Sequence, residues 1–157
     1  MNSEADAPVR GRRLGVDVGT VRIGVAVSDP DCVMATPLET LARDASKSAK
    51  VPSDVARLAQ IVDEYEIVEI VIGLPVTLRG EESFAAAEVR AYAERVSREM
   101  SPMPVRLTDE RLTTAAASRK LTQRGVRGRR QRAVVDQMAA VEILQHWLDQ
   151  RKAQGSR

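Results

Sequence analysis

The sequence predicts an α/β fold: a five-stranded mixed sheet that opens as an antiparallel three-strand meander and carries helices on both faces. Three observations lead there. Two short apolar runs near the start, Leu14 to Val18 and Ile23 to Val27, are joined by a tight connection at Gly19-Thr20, which is the pattern of a β-hairpin. Further along, β-branched runs alternate with amphipathic helical stripes, so right-handed crossovers should pair the later strands in parallel. At 157 residues and 43% apolar content the chain makes one domain with a sizeable core, built mainly from Val, Leu, Ile and Ala because only 3% is aromatic.

Residues 1–11 are polar, with Pro8 and Gly11, and read as a disordered lead-in to a single domain over 12–150. After the hairpin, Ala35 to Thr40 alternates well enough for a third strand, and Pro37 confines it to an edge. Residues 42–53 are loop-like, and Pro52-Ser53-Asp54 is a helix start. Val55, Leu58, Ala59 and Val62 then form the buried stripe of that helix. Ile67 to Ile72, closed by Gly73-Leu74-Pro75, has the profile of a strand buried on both faces. Glu81 to Met100 reads as a helix with the stripe Ala85, Val89, Tyr92, Val96 and Met100, stopped by Ser101-Pro102-Met103-Pro104. Val105 to Thr108 is a short strand. Thr113 or Thr114 caps a further helix ending at Gly125, Val126 to Arg132 is a basic loop, and the last helix covers about Ala133 to Gln150. Residues 151–157 are expected to fray.

Composition excludes several classes. No stretch approaches the length of an uncharged membrane span, and the N-terminus lacks the apolar segment of a signal peptide. One cysteine, Cys32, rules out an intramolecular disulfide framework and a cysteine zinc site, and one histidine, His146, rules out a histidine cluster. A cytoplasmic protein without membrane contact is the default. His146, Trp147 and Cys32 read as structural.

Asp17 is the anomaly of the first strand. A carboxylate in an apolar strand costs several kcal/mol to bury unless a cation, a basic partner or solvent meets it. Gly19 and Gly24 would keep side chains away from whatever approaches; alternatively, Asp17 ends the strand and caps a turn. In an open sheet, ligands gather beyond the carboxyl ends of parallel strands. That edge would hold Asp17, Gly73-Leu74-Pro75 and Glu110. Asp136, in the apolar Ala-Val-Val-Asp-Gln-Met-Ala-Ala-Val of the last helix, can join them because Ala139 and Ala140 permit close approach. Each acid also has a plain structural role open to it: the helix dipole for Asp136, Arg111 or Arg106 for Glu110. Together, three carboxylates without histidine or thiol are hard oxygen donors suited to Mg²⁺ or Mn²⁺.

Basic residues are concentrated between Arg106 and Arg132, nine Lys or Arg against Asp109 and Glu110, although the net charge of the chain is only +2. Such a run beside an acidic pocket suits a polyanion substrate, with arginines on phosphates and carboxylates on the metal. Thr20 and Arg22 in the hairpin, Arg111, and Arg127, Arg129, Arg130 and Arg132 in the loop are the candidate nucleic-acid contacts.

Four motifs carry a resemblance. Asp17-Val-Gly-Thr with Arg22-Ile-Gly-Val-Ala-Val-Ser-Asp29, Val71-Ile-Gly-Leu-Pro75, Asp109-Glu-Arg-Leu-Thr113 and Val135-Asp-Gln-Met-Ala-Ala-Val-Glu-Ile-Leu144 resemble, in order, the motifs of the YqgF (RuvX-like) family over about residues 12–150. The resemblance implies the ribonuclease H-like fold of RuvC and a nuclease activity, on pre-16S rRNA or on Holliday junctions. It puts the family's acidic positions on Asp17, Glu110 and Asp136. Two positions depart from the RuvC resolvases: Ala139 stands where they carry a second acid or a histidine, and Gly73-Leu74-Pro75 where their fourth strand ends in glutamate.

The expected function is therefore a metal-dependent phosphodiester hydrolase acting on structured RNA or branched DNA. Junction resolution would need a homodimer with two sites, and RNA end trimming only one. Two rivals stand beside it. Asp-Val-Gly-Thr followed by Gly24 also resembles the first phosphate loop of actin and sugar-kinase ATPases, which close on nucleotide between two such domains. A non-catalytic binding module would instead use helices 113–124 and 133–150 as a helix-turn-helix.

Overall fold

The computed structural model describes residues 9–46, 50–77, 79–110 and 128–155. Its elements run β1 (Arg12–Val18), β2 (Arg22–Ser28), β3 (Ala35–Ala42), α1 (Ser53–Glu64), β4 (Ile67–Leu74), α2 (Phe84–Met100), β5 (Val105–Asp109) and α3 (Arg129–Gly155). The strands form one sheet in the order β3-β2-β1-β4-β5. β1–β2 and β2–β3 are antiparallel, and β1–β4 and β4–β5 are parallel. The meander, the parallel pairing and the five strands are as expected. The helix expected over 113–124 lies outside the described residues.

Local chemistry moves several boundaries. β3 runs on to Ala42, and its register with β2 slips between Val25 and Ala26, so that Ala26 faces Pro37. The proline sits at an irregularity of an edge strand, where its missing N–H is tolerated. α2 begins at Phe84 rather than Glu81 because Glu81 is tied back to Thr77: Thr77 N–H donates to the Glu81 carbonyl, and Glu81 N–H to the Thr77 hydroxyl. With that start Ala86 is buried and Ala85 is exposed. In α1 the buried stripe takes Asp54 and Ile61 instead of Ala59.

The largest correction concerns α3. It begins at Arg129, not Ala133, so Arg129, Arg130 and Arg132 belong to a helical turn rather than a loop. Gly128, at φ 89°, turns the chain, and its carbonyl accepts from Arg132 N–H to begin the helical ladder. Asp136 is consequently two turns inside the helix, beyond the reach of the N-terminal dipole. The other end continues to Gly155, past the expected stop at Gln150.

α1 and α2 cover one face of the sheet around Leu14, Val16, Ile23, Val25, Leu58, Ile61, Ile70 and Ile72. α3 covers the other, with Ala139, Ala140, Ile143, Leu144 and Leu148 against Ala26, Ala35 and Val71. This second interface is unusually close, since three strands present glycine to the helix. A Cβ on Gly15 would lie 2.6 Å from the Leu144 Cβ, one on Gly73 2.6 Å from the Ile143 Cδ1, and one on Gly24 would collide with the Asp136 carbonyl oxygen. The space beside Gly24 is thus taken by helix backbone, not left open for a ligand.

Below this seat, at the amino ends of β1 and β4, lies a buried charge cluster that the apolar reading of Ile67 to Ile72 passed over. Glu69 is 3% exposed and accepts from Arg13 Nε (3.0 Å), Arg106 Nε (2.9 Å) and Arg151 Nη1 (2.7 Å). Arg13 is itself buried. Burial pushes the Glu69 carboxyl up, but the three guanidiniums outweigh it and hold the group below its ordinary value. The Arg151 contact also explains why α3 does not fray at Gln150.

Two predictions follow from this packing. Gly24→Ala should push α3 off the sheet, costing about 1–3 kcal/mol and lowering Tm by several degrees, whereas Gly155→Ala, which meets nothing within 4 Å, should leave the melting curve unchanged. Because the folded carboxyl of Glu69 is depressed, its stabilising contribution is present at neutral pH and disappears as pH falls through that lowered value. Glu69→Gln, which strands the buried Arg13, should cost about 3–5 kcal/mol at pH 7. The gap to the parent in urea midpoint should narrow as pH falls through that lowered value; a gap independent of pH would show that the carboxylate charge is not what is lost.

Candidate active site

Alternation along β1 puts Arg13, Gly15 and Asp17 on the face that α3 covers. Asp17 pairs with Gly24 on β2, and because Val16 pairs with Ile72, Gly73 of β4 is its neighbour on the other side. Asp17 therefore sits between two glycines, and the α3 backbone at Asp136 rests on the first of them. Glu110 directly follows β5, whose Asp109 pairs with Leu74 at the end of β4. The three carboxylates share the carboxyl end of the parallel strands and are all buried, at 2%, 2% and 5% exposure for Asp17, Glu110 and Asp136. Glu110 stands two strand spacings, about 9–10 Å laterally, from β1. Among the described residues no three acids, histidines or thiols converge as a ready metal-ligand set.

Glu110 and Asp136 line a hollow of about 490 Å³, together with Thr20, Arg22, Arg43, Glu88 and Arg132. Asp17 is not on its wall, which begins at Val18. Arg22 Nε donates to Asp136 Oδ2 at 2.7 Å, placing a cation on that carboxylate. Arg43 is fixed from four directions: its N–H donates to the Val21 carbonyl and its Nη1 to the Gly19 carbonyl. Its guanidinium stacks 5.3 Å from the Tyr92 ring centroid and lies 3.7 Å from Glu88. The Tyr92 hydroxyl in turn donates to the buried Asp54 at 2.7 Å. Burial and the Asp54 carboxylate push the Tyr92 phenol far above its ordinary range, so it remains a neutral donor. The hollow thus combines buried carboxylates with three guanidiniums on its wall, two of them, Arg22 and Arg43, held by bonds to the protein, an arrangement complementary to a phosphodiester and a cation.

A family model described as "RuvX: Holliday junction resolvase" matches residues 11–150. The chain belongs to this family. It is 58% identical over 149 residues to the "Putative pre-16S rRNA nuclease" of Mycolicibacterium smegmatis, covering 95% of this chain and 86% of that one. The protein of the same name from Nocardia farcinica is 58% identical over 154 residues, covering 95% and 83%. Among solved structures, Thermus thermophilus RuvC in complex with a Holliday junction substrate superposes with a TM-score of 0.50 at 14% identity, covering 91% of this chain and 96% of that chain. At that identity the likeness concerns the fold, which is the ribonuclease H-like, RuvC-like α/β fold expected from the motifs.

Of the site residues anticipated in this RuvX-family chain, Asp17, Glu110, Asp136, Thr20, Arg22 and Arg132 come to one end of the sheet. Arg130 is exposed on the first turn of α3, and Arg129 opens that helix. Arg111 and Arg127 lie outside the described residues. Arg106, counted with the basic run beside the pocket, is instead at the opposite end of the sheet on Glu69. Arg43 and Glu88 were not anticipated. The signal for Arg43 was available: an antiparallel β3 ends beside the start of β2, so the residue after Ala42 must lie at the hairpin turn.

The Arg22–Asp136 pair makes a testable case of mutual dependence. With Arg22 30% exposed and Asp136 nearly buried, Arg22→Gln should cost about 1–3 kcal/mol by leaving a buried carboxylate without its cation. Adding Asp136→Asn should recover most of that loss, and thermal melts of the two single variants and the double variant would expose the coupling. Additive losses would mean that the ion pair does not organise this end of the sheet.

Proposed function

We propose that the chain is a divalent-metal-dependent phosphodiesterase that trims the 5′ end of pre-16S rRNA, with Asp17, Glu110 and Asp136 as its catalytic carboxylates. The observation that carries this reading is that three buried carboxylates lie at one edge of the sheet, Asp17 near the end of β1, Glu110 just after β5 and Asp136 in the amino-terminal part of α3, beside a hollow walled by Arg22, Arg43 and Arg132. The 58% identity to relatives named as pre-16S rRNA nucleases supports the substrate. Work on nascent ribosomes belongs in the cytoplasm, and trimming an end requires one active site, so a monomer suffices.

The donor set is all carboxylate oxygen, which fits Mg²⁺ or Mn²⁺, and the guanidinium of Arg22 on Asp136 occupies a position where positive charge is already stabilised. Asp17, Glu110 and Asp136 would hold the metal once Arg22 turns from Asp136 to substrate. Bound there, a divalent cation supplies a water of lowered pKa and Lewis-acid stabilisation of the pentavalent phosphorus. The remaining tasks fall to the chain itself. Arg22 and Arg43 would take the non-bridging oxygens of the scissile phosphate through paired N–H donors. Thr20, in the hairpin turn and on the wall of the hollow, would donate its hydroxyl to the adjoining phosphate. Arg130 and Arg132, on the first turn of α3, would hold the backbone that leads away from the scissile phosphate. The family description favours a second substrate, the four-way DNA junction, which would use the same residues twice in a dimer.

Cleavage of a precursor 16S fragment and of a four-way junction, each with Mg²⁺, Mn²⁺, Ca²⁺ or chelator, tests the assignment. Trimming of the RNA is expected with Mg²⁺ or Mn²⁺ and little with Ca²⁺, whose longer and looser contacts do not enforce in-line geometry. Asp17→Asn should abolish it with the fold intact or slightly more stable, since like-charge repulsion among the acids is relieved. Full activity in that variant, or undiminished cleavage in excess chelator, would overturn the reading.

A further inference from the structure

Guanidinium groups outnumber carboxylates at the amino end of the sheet. Glu69 serves Arg13, Arg106 and Arg151 at once, so this cluster carries two positive charges in excess. Arg106 is 56% exposed despite its bond to Glu69. Arg151 is oriented on two sides: Glu69 takes its Nη1, and its guanidinium lies 4.8 Å from the centroid of the Trp147 ring. The ridge Ile143, Trp147, Arg151 follows the i, i+4 spacing of α3. Since Ile143 sits on Gly73 of β4, this ridge descends along β4 toward Arg106 on β5. There, Arg106, Trp147, Gln150, Arg151 and Gln154 line a shallow hollow of about 320 Å³.

We propose that this hollow is a second nucleic-acid site, which holds an unpaired segment of the substrate strand away from the cleavage centre. The proposal rests on the nuclease reading for its substrate class, but its residues are separate. A planar guanidinium already stacked on an indole and locked by a carboxylate is a preformed platform for one nucleobase, completing a ring–guanidinium–base stack. The amides of Gln150 and Gln154 offer donors and acceptors to a base edge, and Arg106 has donors left for the phosphate. A single strand is the form that fits, since a base inside a duplex cannot present its face to Arg151. The spacing is set by the helix: from Asp136 to Trp147 and Arg151 is about 16 and 22 Å along α3 at 1.5 Å per residue. At roughly 3.4 Å per stacked nucleotide that is about five to seven steps. A strand crossing both sites would therefore be held at the cut and again about five to seven nucleotides away.

Trp147 is the only tryptophan in the chain, so its fluorescence reports on this hollow alone. The full-length protein in chelator, where cleavage is off, should show saturable quenching by an unstructured RNA of about 12 nucleotides, within the usual site size for single-strand binders. The same sequence as a duplex should not quench. With a labelled oligonucleotide followed by anisotropy, Arg106→Gln, an exposed change that leaves Glu69 two partners, should weaken binding several-fold. It should also make the slope of log K against log salt shallower by about 0.7. Arg151→Lys keeps the charge on Glu69 but loses the planar stack, so it should weaken binding with the slope retained. Oligonucleotides of about four nucleotides should lose the second contact and bind alike to the parent and to Arg106→Gln. Absent quenching, equal quenching by duplex, or an Arg106→Gln variant with parental affinity and slope would each overturn the proposal. The nuclease reading is judged separately by cleavage with metal, so a failure there leaves the quenching result standing.

Discussion

Close contact between α3 and the sheet is the constraint on which the rest of the molecule depends. A helix normally rests on a sheet through interleaved side chains; here Gly15, Gly24 and Gly73, on three neighbouring strands, let helix atoms approach to where a Cβ would otherwise be. Ala139 and Ala140 answer them from the helix side. The energy of this arrangement lies in dense packing, since every methyl group absent from the strand is replaced by atoms of α3 in van der Waals contact. Its geometric effect is larger still. With the helix pinned at three points, the position of Asp136 beside Asp17 is fixed by the fold core, not by a loop.

The same pinning sets the two ends of the sheet apart. At the carboxyl end, the buried acids Asp17, Glu110 and Asp136 stand at one edge of the sheet, with Arg22, Arg43 and Arg132 on the wall of the hollow there. At the amino end, one buried glutamate is shared among three arginines, and the excess is positive. Buried charges of this kind are expensive to desolvate and are stable only because each has a bonded partner. α3 bridges the two, with Asp136 in one environment and Arg151 in the other. A polyanion lying along this helix would meet favourable charge at both ends, once a metal occupies the first.

Family membership narrows the chemistry, and geometry narrows the roles. An ATPase of the actin or sugar-kinase kind closes on nucleotide between two domains, whereas the described residues form one five-stranded sheet. Gly24, which such a reading would assign to a phosphate loop, is instead filled by the backbone of α3. The Arg43–Tyr92–Asp54 chain shows how the hairpin turn is backed by the opposite face of the sheet: a buried acid orients a phenol, the phenol carries a guanidinium, and the guanidinium braces the turn.

By itself the sequence determined the order of elements, the hairpin, the parallel pairing and the edge of the sheet on which Asp17, Glu110 and Asp136 fall. These follow from periodicity, from turn residues and from the handedness of crossovers, all of which are local. The four motifs determined the family. Tertiary structure alone decided the start of α3, because the switch at Gly128 depends on a positive φ that a glycine in a basic run does not announce. It also decided that Arg106 turns to Glu69 at the amino end of the sheet and that Arg43 lines the hollow at the other end. Glu69 was visible as an acid in a strand, yet its three partners come from β1, β5 and the end of α3, between 37 and 82 residues away in sequence. Which charges meet is a property of strand order and register, and no local pattern encodes it.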